Sequence, residues 1–394
     1  MLSWGKKSSA TTEALKKTPL GTTTDQRIPD PQPGTYLAAD IIPAVKNLAT
    51  LDDLKWKLVS ANATESMTFQ MSFQDGTFAF MQMVYSTMGL SPNVMLTCKI
   101  YKPDGTKHGK TINHSASSFK TGDAGMSASC DDQMRITYNP TTTGYAVSFK
   151  LSPDIALDVE FTPTEPAFKI GDGTLSFSGN IQRCIGGNTN GSVSAQFLPK
   201  NKVTGTIMID GVAKKACGVE GLIHHAIQIK PQGAAKWNFV NFQNNKGDAL
   251  MLYEFESSRK SADGLFIASQ GCIVCNGRII AVTTNNRAVH VKSQTDKISG
   301  YAVPTQMYIY WMGKTLDSQE DVKVEISIML TNQLDTIDVL AELPYLLRKF
   351  IQTFITAPFL YSWNEKITAK ITIGDQVSEI DGTAFIESSF LCKD

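Results

Sequence analysis

The chain has 394 residues, of which 42% are hydrophobic and 19% are charged. This composition is typical of a folded globular protein and excludes a largely disordered one. The 37 Lys and Arg residues balance the 37 Asp and Glu residues, so no excess of positive charge indicates a nucleic-acid partner. The length predicts two domains of roughly 170–200 residues, each large enough for its own core.

Residues 1–20 are predicted to be a basic, weakly amphipathic segment that contacts membranes. Four lysines accompany a single glutamate there, and a basic segment with Trp and Leu can lie reversibly in a membrane interface. The alternative is a flexible, solvated tail. Residues 21–50, rich in Pro and Gly, are predicted to be an extended linker. The candidate membrane-contact residues are Leu2, Trp4, Lys6, Lys7 and Leu15.

Residues 51–216 are predicted to form an N-terminal antiparallel β-barrel. Met67, Phe69 and Met71 alternate with polar residues, as in a strand with one buried face. The Asp75-Gly76 pair that follows predicts a type I′ hairpin. Similar short runs separated by turn signals continue to Asp210-Gly211 without a good helix, which is typical of an up-and-down barrel or a sandwich.

Residues 217–394 are predicted to form a second barrel after a linker near Lys214–Glu220. Residues 249–255 are predicted to pair with the strand around Trp237, and the Asn276-Gly277 pair predicts another two-residue hairpin. The run 234–243 carries large apolar groups on both faces of a strand, so both faces are expected to be covered. Trp237, Phe239 and Asn241 would share one face, and Asn238, Val240 and Phe242 the other.

One segment departs from the β pattern. Apolar residues from Thr336 to Phe354 recur at helical spacing, interrupted by Pro344, which predicts a pair of short helices. Their ordinary role would be to cover a barrel end. The alternative is a mobile lid over a lipid entrance.

No motif in the sequence indicates a catalytic or metal site. There is no nucleotide-binding loop, no Gly-x-Ser-x-Gly and no His-Glu-x-x-His. Cys272 and Cys275 are expected to lie on opposite faces of a strand and therefore cannot share a metal ion. His224 and His225 are likewise expected to point apart. Each is interpreted as a structural histidine, with a polar anchor or acid–base group in an interior as the alternative.

The strands richest in Phe and Met, residues 67–85 and 237–255, are predicted to line a ligand cavity. A small barrel can hold one ligand, and methionine adapts to flexible acyl chains. The alternative is that these residues are ordinary core. Asn238 is a further candidate for hydrogen bonds to a neutral lipid. The candidate lipid-binding residues are Phe78, Phe80, His224, Trp237, Phe239, Asn241 and Tyr253.

Several segments, in the same order along the chain, resemble the fungal survival factor 1 family. They include residues 51–56, 65–69, 197–201 and 340–354, together with the run 234–243. The resemblance implies two lipocalin-like barrels, a ceramide-like ligand, no cofactor and no catalytic residues. It also implies non-vesicular ceramide transport between endoplasmic reticulum and Golgi, support of survival under oxidative stress, and reversible peripheral contact with those membranes.

The sequence leaves alternatives open for both the location and the function of the protein. Seven cysteines without a recognisable signal peptide predict free thiols and a cytoplasmic protein, with the nucleus as a further location. The first rival function is a lipocalin-like cyclase or isomerase that acts on a hydrophobic small molecule. The second is a stress-signalling interaction protein with a solid core and no cavity.

Overall fold

The computed structural model describes residues 36–37, 44–59, 62–89, 91–176, 191–230, 234–257, 266–341 and 358–391. The predicted membrane-contact residues therefore lie outside the described residues, as does most of the predicted helix pair. The part of that pair that is described belongs partly to a strand, since residues 333–338 pair with a neighbouring strand. Nearly all described secondary structure is β, and it is mainly antiparallel, as predicted.

The first sheet has 14 strands and contains the N-terminal part of the chain. Its strands are β2 (Lys46–Leu48), β3 (Ala63–Ser72), β4 (Phe78–Ser86), β5 (Asn93–Tyr101), β6 (Lys107–Ser115), β7 (Phe119–Gly122), β8 (Ser127–Cys130), β9 (Met134–Asn139), β10 (Gly144–Ser152), β11 (Ile155–Pro163), β12 (Phe168–Ile170), β13 (Thr174–Ser176), β14 (Ser192–Ile209) and β15 (Val212–Ile229). Neighbours run in the order β6-β5-β4-β3-β15-β14-β11-β10-β9-β8-β7.

The second sheet has 11 strands and contains the C-terminal part of the chain together with β1 (Tyr36–Leu37). Its other strands are β16 (Ala234–Gln243), β17 (Ala249–Ser257), β18 (Phe266–Cys275), β19 (Arg278–Thr283), β20 (Asn285–Thr295), β21 (Ala302–Lys314), β22 (Asp321–Met329), β23 (Gln333–Asp338), β24 (Phe359–Ile373) and β25 (Gln376–Phe390). Its main order is β1-β18-β17-β16-β25-β24-β22-β21-β20. The two sheets are called the first and second barrel below.

Three apolar cores hold these sheets together. One core fills the first barrel and includes Met67 and Phe69, and another fills the second barrel and includes Val240 and Phe242. The third lies between the two barrels and contains residues of both, among them Phe197 and Phe239. The region between the barrels is called the seam below. Because each barrel has its own core, a face of β16 that points away from the second barrel must be covered by the first.

The turns follow the sequence in part. Asn276 and Gly277 both have positive φ, 51° and 78°, and join β18 to β19 in the two-residue hairpin that was predicted. Asp75-Gly76 also joins two paired strands, but only Gly76 has positive φ. The Phe73 amide donates to the Thr77 carbonyl (2.9 Å), which makes the loop three residues long. The predicted hairpin is confirmed there, and its type I′ assignment is wrong.

The change from one sheet to the other falls later in the chain than the predicted boundary at 216/217. Asp210 and Gly211, with φ of 54° and 73°, return the chain as β15, which pairs with β14 and β3 of the first sheet. The linker predicted near Lys214–Glu220 is therefore wrong, since these residues are part of a strand. The chain reaches the second sheet between Ile229 and Ala234.

The predicted linker over residues 21–50 also forms short strands in its described part. β1 pairs with β18, and β2 pairs with β12, where the Asn47 side chain donates to the Gly171 carbonyl (2.6 Å). Extended chain already has strand-like dihedrals, so it needs only a free sheet edge to pair. The one described α-helix, α1 (Leu51–Leu54), starts at a capping box formed by Thr50 and Asp53. No helix in the described ranges is long and apolar enough to cross a membrane.

Candidate functional site

A pocket of about 380 Å³ opens in the seam between the two barrels. Its volume lies within the usual range for small-molecule sites, roughly 300–1,000 Å³. It is called the seam pocket below. The first barrel contributes Thr64, Ser66, Thr68, Gln70, Phe80, Gln82, Val84, Ser86, Met88, Asn93, Met95, His224 and Gln228. The second barrel's side of the chain contributes Trp237, Phe239, Tyr253, Val339, Pro358, Leu360, Phe385, Glu387, Ser389 and Leu391.

Strand alternation decides which side chains reach the seam pocket. In β3, Ser66 and Thr68 face the pocket, whereas Met67 and Phe69 belong to the core of the first barrel. In β16, Trp237 and Phe239 face the pocket and Val240 and Phe242 fill the second barrel. Adjacent residues of a strand point to opposite faces. The division of β16 into two covered faces, predicted from its sequence, is confirmed.

Aromatic rings form the wall that the second barrel contributes. The ring centroids of Trp237 and Tyr253 are 5.3 Å apart, those of Phe239 and Tyr253 are 6.2 Å apart, and those of Phe239 and Phe385 are 6.4 Å apart. Contacts at these distances stabilise ring pairs beyond the burial of their area. The pocket therefore has a fixed apolar wall on this side, while Met88 and Met95 of the first barrel add adaptable thioether side chains opposite.

His224 is a neutral, apolar-packed side chain of the seam pocket. Its ring stacks on Phe197 at 4.9 Å and meets the Tyr253 ring edge-on at 5.2 Å. Burial, followed by the charge of His225, lowers the pKa of His224 to about 3, since an imidazolium there would be desolvated. Its Nε2 atom is buried and has no hydrogen-bond partner. The imidazole thus carries one buried, unsatisfied nitrogen beside the pocket.

Glu387 is a pocket residue that the sequence analysis missed. It lies two residues after Phe385 on the face of β25 that lines the pocket, and its Oε1 accepts a hydrogen bond from the Ser389 hydroxyl (2.9 Å). Burial raises the pKa of its carboxyl, while the Ser389 hydrogen bond and then the charge of Lys99 act in the opposite direction. The alternation of 383–390 was the available signal, because it places Glu387 on one face with Phe385.

The structure brings five of the seven predicted lipid-binding residues together in the seam pocket. The other two lie beside it. Phe78 stacks on Phe385 with centroids 4.4 Å apart, and the Asn241 amide donates to Gln70 Oε1 (2.7 Å). Contact of any of these seven residues with a lipid stays a prediction. The location differs from the one expected, since the pocket lies between the barrels and not inside either of them.

The buried charged groups Glu65 and Glu254 inside the two barrels are paired. In the first barrel, Glu65 accepts hydrogen bonds from the backbone amides of Lys57 and Leu58 and lies 3.0 Å from His225 Nε2. In the second, Glu254 lies 3.2 Å from Arg287 Nε. Asn238, which had been considered a lipid contact, donates to Glu254 Oε1 (2.9 Å). It points into the second barrel, so it does not line the seam pocket.

A second opening in the seam is polar. This polar cleft has a volume of about 580 Å³ and is lined mainly by polar side chains, among them Gln74, Asn244 and Asp381. Beside it, the buried Lys200 Nζ lies 3.0 Å from Glu220 and donates to Gln243 Oε1 (3.2 Å). Burial lowers the pKa of Lys200. The cleft lacks the aromatic wall of the seam pocket and fits an acyl chain poorly.

Cys272 and Cys275 do not form a pair of metal ligands. Cys272 lies in the seam core, whereas Cys275 packs against the core of the second barrel, which confirms that they point apart. One described cluster, His114, Cys130 and Asp131, has ligand atoms within 4.8 Å of one another. His114 Nδ1 already lies 3.1 Å from Asp131, and burial raises the pKa of the Cys130 thiol to about 11. The thiol is protonated, so it is a poor metal ligand.

Solved structures support the two-barrel architecture. The chain superposes on a complex of CghA with Sch210972 at a TM-score of 0.60 and 9% identity, over 84% of this chain and 89% of that one. It superposes on a protein from Nitrosomonas europaea assigned to AttH at a TM-score of 0.57 and 14% identity, over 89% and 99% of the two chains. At these identities the likeness shows the fold alone.

Comparison of the sequence with relatives identifies the family more specifically than comparison of the fold does. The chain is 30% identical over 355 residues to the ceramide-binding protein svf1 of Emericella nidulans, covering 87% of this chain and 89% of the relative. It is 28% identical over 357 residues to the ceramide-binding protein svf1 of Schizosaccharomyces pombe, covering 86% and 88%. The model of the Svf1 family matches residues 37–392. The chain therefore belongs to the Svf1 family.

Proposed function

We propose that this protein binds a ceramide-like lipid in the seam pocket and carries it without changing it chemically. Relatives that share most of the chain's length are named ceramide-binding proteins. The observation that carries the proposal is the pocket itself, with an aromatic wall facing methionines and with polar side chains between them. A neutral lipid with one amide and a few hydroxyl groups needs such hydrogen-bonding groups and no cationic residue.

The size of the hydrophobic effect explains why a carrier is needed. Each buried CH₂ group contributes about 0.8 kcal/mol, so a sixteen-carbon chain is retained in a bilayer by roughly 12 kcal/mol. Spontaneous transfer through water is correspondingly slow. A pocket that surrounds the chain with apolar side chains replaces the bilayer environment and lowers that barrier.

An acid–base enzyme is the second candidate, because one specific observation favours it. Glu387 and His224 line the same pocket, and burial favours the neutral form of both, as general acids and bases of enzymes often require. Against this, no described side chain orients the imidazole, whose Nε2 has no hydrogen-bond partner. The third reading, a protein with a solid core, does not account for the pocket between the barrels.

The test fills the pocket with one side chain. Ser66→Phe places a ring where Ser66 now lines the seam pocket and should reduce the affinity for a short-chain ceramide by about 10-fold or more, since ligand and ring compete for one space. Ser327→Phe, on an exposed strand position, is the matched control and should bind as the wild type does. Native mass spectrometry measures the bound lipid and its mass.

Two outcomes would contradict the proposal. Equal ceramide binding by the two variants would place the lipid elsewhere. Recovery of a lipid of altered mass would favour the enzyme over the carrier.

We propose further that the carrier works between endoplasmic reticulum and Golgi membranes, from the cytoplasm, and supports survival under oxidative stress. Residues 1–20 would supply the reversible membrane contact, for which the Lys-rich composition with Leu2 and Trp4 is the support. A chain lacking residues 1–18 should sediment less with anionic liposomes and keep its melting temperature. Unchanged sedimentation would remove this segment from the proposal.

A further inference from the structure

Glu387 presents an unpaired carboxyl group to the seam pocket. In the described part of the chain no Lys, Arg or His nitrogen lies within 4 Å of it, and its hydrogen-bond donor there is the Ser389 hydroxyl. The strand places the next residue, Ser388, inside the second barrel, where its hydroxyl donates to Asn238 Oδ1 (2.8 Å). Glu387 therefore cannot reach the paired network of the barrel interior.

The fully buried carboxyl groups of this protein have more partners than the half-buried Glu387. Glu254 faces Arg287 and also accepts hydrogen bonds from Asn238 and from the Ala288 amide. Glu65 accepts from two backbone amides and lies beside His225. A fully buried carboxyl without such partners would cost free energy. Glu387 is half-buried at the pocket wall, so its remaining bonding capacity is open to a ligand in the pocket.

The groups around Glu387 do not supply a counter-charge. Burial keeps His224 neutral, and Tyr253 is a neutral phenol whose pKa burial raises further. The charge of Lys99 lowers the pKa of the Glu387 carboxyl, but the Lys99 ammonium lies 3.3 Å from Asp335. No Lys or Arg occurs among the described residues that line the pocket.

We propose that the seam pocket also binds long-chain aliphatic amines, with the ammonium head paired to the Glu387 carboxylate. The alkyl chain would lie along Phe80, Phe239 and the methionine side of the pocket. A cation with several N–H donors is the strongest partner for a carboxylate away from water. When a protonated Glu387 binds an ammonium, its proton passes to solvent, so charge balances within the pocket. The inference rests on the proposed function only because both ligands use the same pocket.

The test compares two ligands of equal chain length and two forms of the protein. Dodecylamine should bind the wild type about 10-fold more tightly than it binds Glu387→Gln, as measured by isothermal titration calorimetry below the critical micelle concentration. Dodecanol, which has the same chain without a positive charge, should bind both forms within about 3-fold. Asp381→Asn, in the polar cleft, controls for general attraction of the amine and should behave as the wild type does.

The outcomes separate this inference from the proposed function. Equal affinity of dodecylamine for wild type and Glu387→Gln would overturn the amine site, whatever ceramide does. Loss of dodecylamine and dodecanol binding together, with a lowered melting temperature, would assign Glu387 a structural role and would overturn it as well. If short-chain ceramide fails to bind the wild type while dodecylamine binds through Glu387, the ceramide proposal fails and the amine site stands.

Discussion

A histidine and a glutamate inside the barrels have charged partners, whereas a histidine and a glutamate in the seam pocket have none among the described residues. His225 and Glu254 point into the barrels, and each has a charged partner within 3.2 Å. His224 and Glu387 face the seam pocket, and burial shifts the pKa of each toward its neutral form without such a partner. Buried charges stabilise a fold only when they are paired. The difference indicates that His225 and Glu254 hold the structure, whereas His224 and Glu387 are available to a ligand.

The largest loss of stability is expected when the partner of a buried charge inside a barrel is removed. Arg287→Met leaves the fully buried Glu254 without its cation and should lower the free energy of unfolding by about 3–5 kcal/mol. Urea denaturation measures the effect. Lys314→Met, which breaks the exposed Lys314–Asp321 pair, is the matched control and should cost less than about 1 kcal/mol. Equal losses would show that burial of the pair adds nothing.

A double variant sharpens the same point. Glu254→Gln added to Arg287→Met removes the charge that was stranded, so it should recover most of the lost stability. Failure to recover would mean that Arg287 stabilises the barrel through packing and not through its charge.

A smaller loss of unfolding free energy is expected at low pH, and it tests whether His224 in the seam is held neutral. The unfolded chain takes up a proton at His224 near pH 6.5, whereas the folded chain does so only near pH 3. Stability is therefore present above pH 6.5 and is lost as the pH falls toward 3. Because of His224, the free energy of unfolding should fall by about 2 kcal/mol as the pH is lowered from 7 to 5. His224→Phe, which keeps a ring beside Phe197, should remove that loss.

The difference between variant and wild type is the quantity to measure in that experiment. Burial also lowers the pKa of His290, which adds to the acid-induced loss, and raises the pKa of Glu254 and Glu387, which acts in the opposite direction over the same range. These groups are common to both proteins and cancel in the comparison. Parallel pH profiles of unfolding free energy would mean that His224 is not held neutral in the folded chain.

Much of this architecture follows from local patterns, but the place of the site does not. The alternation in β16 predicted two covered faces, and the Asn276-Gly277 pair predicted a hairpin. Neither pattern states which face meets the barrel interior and which meets the seam, because both are apolar. That choice depends on pairing between β16 and β25, strands far apart in sequence. Local alternation places Glu387 on one face with Phe385, but only the same long-range pairing decides that this face meets the seam pocket.

The misplaced boundary has a similar physical origin. Asp210-Gly211 is a strong turn signal, and a turn can end a domain or return the chain within one. Only the pairing of β15 with β3, over 140 residues upstream in the chain, shows that it returns. The partner of His225 could not be predicted for the same reason, because Glu65, which lies beside His225, belongs to that distant strand.

Photo-crosslinking tests the central claim, a lipid site in the seam, most directly. A ceramide with a photoreactive acyl chain is bound to the purified full chain, irradiated, and the modified residues are mapped by mass spectrometry. We expect adducts on seam-pocket residues such as Met88, Met95, Trp237 and Leu360, and their loss on addition of unlabelled ceramide. Adducts confined to the barrel interiors, at Met67 or Leu250 for example, would contradict the account.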